Sequence, residues 1–276
     1  YFNTILPVDS PSGYAWPAVL FGLMLVLGPA YWGGNQAIVQ RCLGTGSERD
    51  AKKSVLFGAL LKSIIPFVIV LPGMLGLVLY PGLEKGDEIY PTMLGDLLPV
   101  GLAGIVFAAF LAALMSSVDS YLNSASTLWT MDIYKRYIRP GASHEDLFRT
   151  GKVLTLVFIF IAILLAPLTD KFEGVFNAFV TLLSIFQGPT FAILLLGVIW
   201  KRANSVGAVA GLVVGVTVSS TLSYLGDAVF DAAEPGFYVA WWSFASSMIA
   251  TISFSLVSRP RPYHEIRELM FRKTGK

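Results

Sequence analysis

The sequence predicts an all-α, polytopic membrane protein, and composition, hydropathy and charge placement each support this fold class. Of the 276 residues, 55% are hydrophobic and 14% are charged, which is more apolar side chain than a soluble domain of this size would hide. A membrane-spanning helix needs about 20 mostly apolar residues. Stretches of this kind lie near 16–43, 54–80, 98–124, 150–169, 174–200 and 204–225, with a seventh near 236–258.

Basic residues are distributed asymmetrically among the loops between these stretches. Alternate loops and the C-terminal segment hold 17 of the 20 Lys and Arg residues, and the other loops hold only Lys85 and Lys171. Short loops rich in Lys and Arg stay on the cytoplasmic side. We therefore expect an N-terminus outside and a C-terminus inside the plasma (inner) membrane, with the basic tail 259–276 on the lipids of the cytoplasmic leaflet.

The first stretch is interrupted near its middle by the segment GPAYWGGN at 28–35. Three glycines and a proline weaken a helix strongly. Irregular backbone at membrane depth is tolerated where it is buried in protein or lines a cavity, as in transporters that bind solutes at broken helices. A proline kink at a helix crossing is the alternative. The crowding of Tyr31, Trp32, Asn35 and Gln36 at the break favours a solute site.

Two further polar features lie inside apolar stretches. Lys62 is either an anchor whose ammonium group reaches the membrane surface or a cavity-facing donor to a solute. In the third stretch, helical spacing puts Ala113, Ser116, Ser117 and Ser120 on one face, close to Asp119. Each serine alone could simply bond the preceding turn of its helix. Together, these hydroxyl, carbonyl and carboxylate oxygens are the ligands of a hard monovalent cation.

Other classes of protein fit the sequence poorly. The single cysteine, Cys42, excludes a disulfide framework and a multi-cysteine metal site. The histidines, His144 and His264, are far from the serines, so no nucleophile and base are paired and we expect no enzyme. A continuous polar lining for a channel is also missing, and a net charge of +2 gives no reason to expect nucleic acid. Because the first residue is Tyr1, we expect a fragment.

Three long segments resemble motifs of the sodium/solute symporters, and of the sodium/glucose cotransporters in particular. They are YWGGNQAIVQRCL at 31–43, the run from Ser116-Ser117 through NSAST to MDIY at 116–134, and the run from Gly188-Pro189 to LGVIWKR at 188–202. The resemblance implies a LeuT-like fold of five plus five core helices with inverted repeats. It implies that the chain is one partial transmembrane domain, 1–276, which lacks the first repeat. The second repeat would occupy 14–200, accessory helices 201–258 and the cytoplasmic tail 259–276.

The resemblance also implies sodium as the coupling ion. By matched position, Ala113, Ser116 and Ser117 would form half of the family's shared sodium site, with Ala113 giving its carbonyl oxygen. A second sodium site would involve Ser116, Asp119 and Ser120. Asp119 departs from the hydroxyl residue common in the family, and is either a substitute carboxylate ligand or the partner of a basic residue in the missing half.

For the solute, the resemblance matches Tyr31 to an aromatic residue that stacks on a sugar ring, with Trp32 its neighbour, and Lys62 to a lysine that contacts sugar. Thr181 stands where the family has a sugar-binding glutamine, and Gly28 where it has an asparagine. At both positions the residue of this chain is shorter than the family's residue and reaches less far to form hydrogen bonds. The sequence therefore does not specify which hexose would bind. The implied function is sodium-coupled symport of a sugar or polyol by alternating access. The alternatives are another small solute, such as a carboxylate, amino acid or nucleoside, or a transporter-like sensor.

Overall fold

The structure is a computed structural model that describes residues 5–10, 14–83, 85–171, 174–230, 232 and 235–262. Residues 263–276 of the predicted basic tail lie outside the described residues. Apart from one isolated bridge between Leu6 and Ala15, the described chain consists of helices, turns and irregular segments. The predicted all-α fold class is confirmed.

Eleven helices follow one another along the described residues. They are α1 (Ala18–Gly34), α2 (Gln36–Leu43), α3 (Glu48–Lys62), α4 (Ile65–Leu79), α5 (Ile89–Leu97), α6 (Val100–Ile138), α7 (His144–Leu165), α8 (Val175–Ile199), α9 (Ser205–Tyr224), α10 (Gly226–Phe230) and α11 (Gly236–Val257). The first part of α1, Ala18–Leu27, and the last part of α6, Trp129–Ile138, are wound as π-helix. Short 3₁₀ turns lie at Gly86–Glu88 and Ala166–Lys171.

Six spans in the described chain are long and apolar enough to cross a membrane, and the bent pair α1–α2 makes a seventh if it is counted as one span. This agrees with the seven stretches that hydropathy predicts. α1 and α2 are bent by 52° at Asn35, whose extended backbone ends α1, so the predicted break is present. The second stretch is one span, Glu48–Leu79, in which a two-residue turn separates the end of α3 at Lys62 from the start of α4 at Ile65.

The chain divides into two compact units, and the first comprises residues 1–35 and 176–276. Its helices pack through small residues. A Cβ atom on Gly22 of α1 would lie 2.0 Å from the carbonyl oxygen of Phe237 in α11, and one on Gly188 of α8 would lie 2.8 Å from the carbonyl oxygen of Ala240. Only glycine permits such close backbone approaches.

Within this first unit, α9 packs along α11 through a stripe of buried glycines, Gly207, Gly211 and Gly215. Their spacing of four residues places them on one helical face. The opposing face of α11 buries Ser247, Thr251 and Ser255. A stripe of small residues at this spacing, visible in the sequence, allows two membrane helices to pack closely.

The second unit comprises residues 36–175 and holds α2 to α7. Two of its helices, α3 and α7, begin with side-chain caps, because Ser47 accepts a hydrogen bond from the Asp50 amide and Ser143 from the Asp146 amide. In contrast to the first unit, the most apolar windows of its three long spans are not buried at all within the described structure. These surfaces are apolar and suited to lipid or to further membrane helices.

Candidate functional site

A cavity of about 120 Å³ lies at the C-terminal end of α1, where the first span breaks. Its wall on α1 is formed by Ala30, Gly34 and Asn35. Its wall on α8 is one helical face with spacings of three and four residues, formed by Phe186, Gln187, Thr190, Phe191 and Leu194. Gly34 allows the two walls to meet, since a Cβ atom at this position would lie 3.1 Å from Leu194 Cδ1.

The amide of Gln187 gives this cavity its chemical character. Its Oε1 atom is buried and accepts no hydrogen bond from any described residue. Nearby, the Thr190 hydroxyl donates to the Phe186 carbonyl oxygen at 2.7 Å. A buried acceptor without a partner costs about 1–3 kcal/mol. The cavity therefore favours a guest that brings a hydrogen-bond donor, such as a hydroxyl group.

Of the predicted solute residues in the first unit, one lines this cavity and three do not. Asn35 is on its wall, whereas the described lining includes neither Tyr31, Trp32 nor Thr181. The rings of Tyr31 and Trp32 contact each other edge to face, with centroids 6.2 Å apart. Thr181 is half-buried on α8, six residues before Gln187, and therefore lies on a different helical face.

Lys62, the remaining predicted solute residue, belongs to the second unit. It is the last residue of α3, and its side chain is exposed. The helix stops there with Ser63, whose hydroxyl donates to the Ala59 carbonyl oxygen at 3.0 Å. A cation is favoured at a helix C-terminus because the free carbonyl groups give that end a partial negative charge. The break places Lys62 at an interrupted point of the second span, which hydropathy alone does not show.

The predicted sodium ligands form one face of α6 in the second unit. Ala113, Ser116, Ser117 and Asp119 are exposed, and Ser120 is half-buried. The Ser117 hydroxyl donates to the Ala113 carbonyl oxygen at 3.2 Å, and the Ser120 hydroxyl donates to the Ser116 carbonyl oxygen at 3.0 Å. These contacts bring pairs of oxygen atoms together on successive turns. Each pair could serve one cation after rotation of the hydroxyl group.

A contact from α2 distinguishes the two predicted sodium sets. The Arg41 guanidinium donates through Nη2 to the Ser120 hydroxyl at 3.0 Å and through Nη1 to the Ala37 carbonyl oxygen at 2.5 Å. A sodium ion bound to Ser120 would lie next to this positive charge, and like charges repel. The geometry therefore favours the set of Ala113, Ser116 and Ser117.

Asp119 takes part in none of the three ion pairs that the described residues form. Both interpretations of this carboxylate, as a sodium ligand and as the partner of a basic residue outside the chain, stay predictions. A second polar contact, in which the Ser124 hydroxyl donates to the Gln36 amide oxygen, joins α6 to α2 beyond the sodium-ligand face.

The family assignment follows from a comparison with known families, in which the Sodium:solute symporter family matches residues 7–215. The chain belongs to this symporter family. The match includes the broken span, the serine face of α6 and the cavity wall on α8. It confirms the resemblance that the sequence motifs indicate, and the membrane spans are those of a multi-pass symporter.

Two relatives show where this chain stands within the symporter family. It is 36% identical to the sodium/glucose cotransporter of Vibrio parahaemolyticus over 244 residues, which cover 82% of this chain and 45% of that protein. It is also 36% identical to the sodium/myo-inositol cotransporter 2 of Sus scrofa over 226 residues, covering 74% of this chain and 33% of that protein. The chain thus spans a third to a half of the length of these symporters.

A solved symporter structure shares the fold. A sodium-coupled sialic acid symporter, determined in a substrate-bound outward-open state that has a novel sodium site, matches with a TM-score of 0.69 and 26% identity. The match covers 91% of this chain and 52% of that chain. The LeuT-like fold that the sequence predicts is therefore confirmed.

Two residues of this symporter chain enter the site only through the structure. Gln187 is one of the few amide side chains in an apolar stretch, and this polarity was the available signal. Arg41 is one of the basic residues that mark the cytoplasmic side in the sequence, and in the structure its guanidinium reaches Ser120. Both side chains act across helices, so spacing along one helix could not reveal them.

Proposed function

We propose that this chain is part of a sodium-coupled symporter that carries a sugar or polyol by alternating access. The observation that carries the proposal is the broken span at Asn35 beside a cavity whose Gln187 amide oxygen has no partner among the described residues. Broken helices of this kind supply binding groups near the middle of the membrane in secondary transporters. The named function of the glucose and myo-inositol relatives supports the same solute class.

For the solute, hydroxyl groups provide the donors that the cavity lacks. Sugars and polyols carry several hydroxyls, each of which both donates and accepts. Asn35 and Gln187 would hold one part of the solute, while Tyr31 and Trp32, in edge-to-face contact on the adjoining face of α1, would pack against its ring. A cavity of about 120 Å³ is smaller than a whole hexose would need, so it would take one substituent of the solute.

For sodium, the Ala113 carbonyl oxygen and the Ser116 and Ser117 hydroxyls would supply oxygen ligands from α6. A site of neutral oxygens on one helix face is incomplete for a cation, and the remaining ligands would come from elements outside this face. Sodium is a transported substrate here. Each charge that enters draws about 2.3 kcal/mol from a membrane potential of 100 mV, which is enough to concentrate a neutral solute many-fold.

Coupling would arise because sodium and solute favour the same conformation of the transporter. A ligand shifts a conformational equilibrium only by its difference in affinity for the two states. Sodium bound to α6 would stabilise the outward-open state, in which the solute then binds. In the orientation that the basic loops predict, rocking of the helix bundle would expose both to the cytoplasm across the plasma membrane.

A sugar that carries a carboxylate is a second candidate solute, because a sialic acid symporter shares the fold. The test is uptake by the full-length protein in vesicles with an inward sodium gradient or a matched potassium gradient, offering D-glucose, myo-inositol or sialic acid. We expect sodium-driven uptake of glucose or myo-inositol. Uptake of sialic acid alone would favour the second candidate, and equal uptake in both gradients would contradict symport.

A further inference from the structure

A second cavity in the first unit lies closer to the C-terminal end of α8 than the proposed solute site, with Ile193 and Gly197 in its wall. Its volume is about 230 Å³, and its wall includes Asn204, Ser205, Thr251 and Arg261. It is bounded by the last turns of α8 and α11 and by the first turn of α9. Because these three helices span the membrane, their common end is at the depth of the lipid headgroups.

The surroundings of this cavity are strongly cationic. Lys201, Arg202, Arg259 and Arg261 lie in the segments that connect or follow these helices, and no Asp or Glu occurs in residues 174–226 or 235–262. Arg202 donates through Nη2 to the Leu256 carbonyl oxygen at 2.9 Å, and Arg261 donates through Nη2 to the Ser205 hydroxyl. A guanidinium has five N–H donors, so both arginines keep donors for an anion.

The polar groups of the cavity wall are held in place by the turn before α9. The buried Asn204 side chain caps α9 by accepting from the Gly207 amide at 3.0 Å, and its amide nitrogen donates to Ser258 Oγ at 2.8 Å. α9 has no acidic residue in its first turn, so the partial positive charge of its N-terminus is not compensated there. Thr251 also lines the cavity. It is 1% exposed, and its hydroxyl has no hydrogen-bond partner among the described residues.

We propose that this cavity binds the phosphate group of an anionic phospholipid headgroup. Arginine donors, a serine hydroxyl and a helix N-terminus are the groups that proteins use to bind phosphate. The space equals the volume of about eight liquid water molecules, which suffices for a phosphate group with its ester oxygens. The location at the end of three spans makes a lipid the source of the phosphate, since a diacyl chain would continue along the apolar helices.

The experiment is native mass spectrometry of the full-length protein with phosphatidylglycerol, phosphatidylcholine or inorganic phosphate. We expect phosphatidylglycerol to be retained more strongly than phosphatidylcholine. Loss of one charged hydrogen bond in Arg261→Gln should lower phosphatidylglycerol affinity about tenfold. Arg261→Lys should keep most of the affinity, and the control Arg49→Gln, at an exposed arginine of α3, should leave it unchanged.

Other outcomes would overturn the proposal. Unchanged retention in Arg261→Gln, or equal loss in Arg49→Gln, would mean that the cavity does not hold the lipid phosphate. Displacement of phosphatidylglycerol by millimolar inorganic phosphate, with phosphate retained in its place, would identify a free phosphate site instead. If Arg261→Gln lowers the melting temperature, Ser205→Ala provides the second variant, because the exposed Ser205 hydroxyl lines the cavity and accepts a hydrogen bond from Arg261. The proposal expects weaker retention here too, and full retention would contradict it.

Discussion

The two compact units of this chain differ in how much of their apolar helix surface is buried. In the first unit, the most apolar windows of α8, α9 and α11 are 28%, 22% and 39% buried, whereas those of the three spans of the second unit are 0% buried. The first unit owes its burial to glycines and hydroxyl residues that bring backbones close together. The second unit presents large apolar side chains outward on nearly every turn.

This difference indicates separate roles for the two units. Close packing through small residues makes a rigid body, because interiors of this density resist displacement. The first unit would then hold the solute cavity in a fixed shape. The helices of the second unit, with the sodium-ligand face on α6, expose surfaces that other membrane segments or lipid must cover. A segment with little buried apolar surface is the one that we expect to move if the chain works as proposed.

The largest expected effect is on the packing of the first unit. In Gly22→Ala, the new Cβ atom would lie 2.0 Å from the Phe237 carbonyl oxygen, so α1 and α11 must separate. Overpacking of this kind costs about 1–3 kcal/mol or more. We expect a clear fall in melting temperature of the purified full-length protein. The matched control is Gly104→Ala in α6, where no atom lies within 4 Å of the added Cβ. Equal melting temperatures for both variants would refute the comparison of the units.

A smaller effect is expected at the sodium-ligand face of the second unit. Ser117→Ala removes one oxygen ligand without disturbing packing, because the side chain is exposed. We expect the sodium concentration for half-maximal uptake to rise about tenfold, which corresponds to about 1.4 kcal/mol. Ser126→Ala, which removes a hydroxyl that only bonds the Asn123 carbonyl oxygen, serves as the control on the same helix. If sodium-driven uptake survives Ser117→Ala unchanged, the sodium assignment is wrong.

The smallest effect concerns the solute cavity. Gln187→Leu removes the buried amide oxygen that lacks a partner, so the protein should be as stable as the parent or more stable. Solute affinity should nevertheless fall about three- to tenfold through loss of one hydrogen bond. Binding titrations with D-glucose and with its monodeoxy analogues measure this.

Thr181→Val tests the rival assignment of that solute hydrogen bond, because Thr181 matches the family's sugar-binding glutamine but lies off the cavity wall. We expect the Thr181→Val variant to bind the solute with the same affinity as the parent protein. A loss in Thr181→Val together with normal binding in Gln187→Leu would reverse the assignment.

Much of this architecture could be predicted from the sequence, because the spans of a membrane protein are long apolar segments that hydropathy detects. The spans, the break at 28–35 and the glycine stripe of α9 each follow from local composition and spacing. The end of α3 at Lys62 is not visible in hydropathy, but Pro66 is a sequence signal for it, because proline has no N–H to donate to the Lys62 carbonyl oxygen. The roles of Gln187 and Arg41 were also hidden, because each depends on which helices become neighbours. The family resemblance predicts that the serine face of α6 binds sodium. Only the contact from Arg41 distinguishes the two sets of sodium ligands predicted on this face.

If the proposed function is right, sodium binding and solute binding to the full-length protein are energetically coupled. The most direct measurement is calorimetric titration of the purified full-length protein with its solute in sodium and in choline. Coupled sites of this kind shift affinity by about 5- to 150-fold, and the effect is reciprocal. We predict that solute binds at least fivefold more tightly in sodium and that solute tightens sodium binding by the same factor. Equal solute affinity in sodium and in choline would contradict the claim.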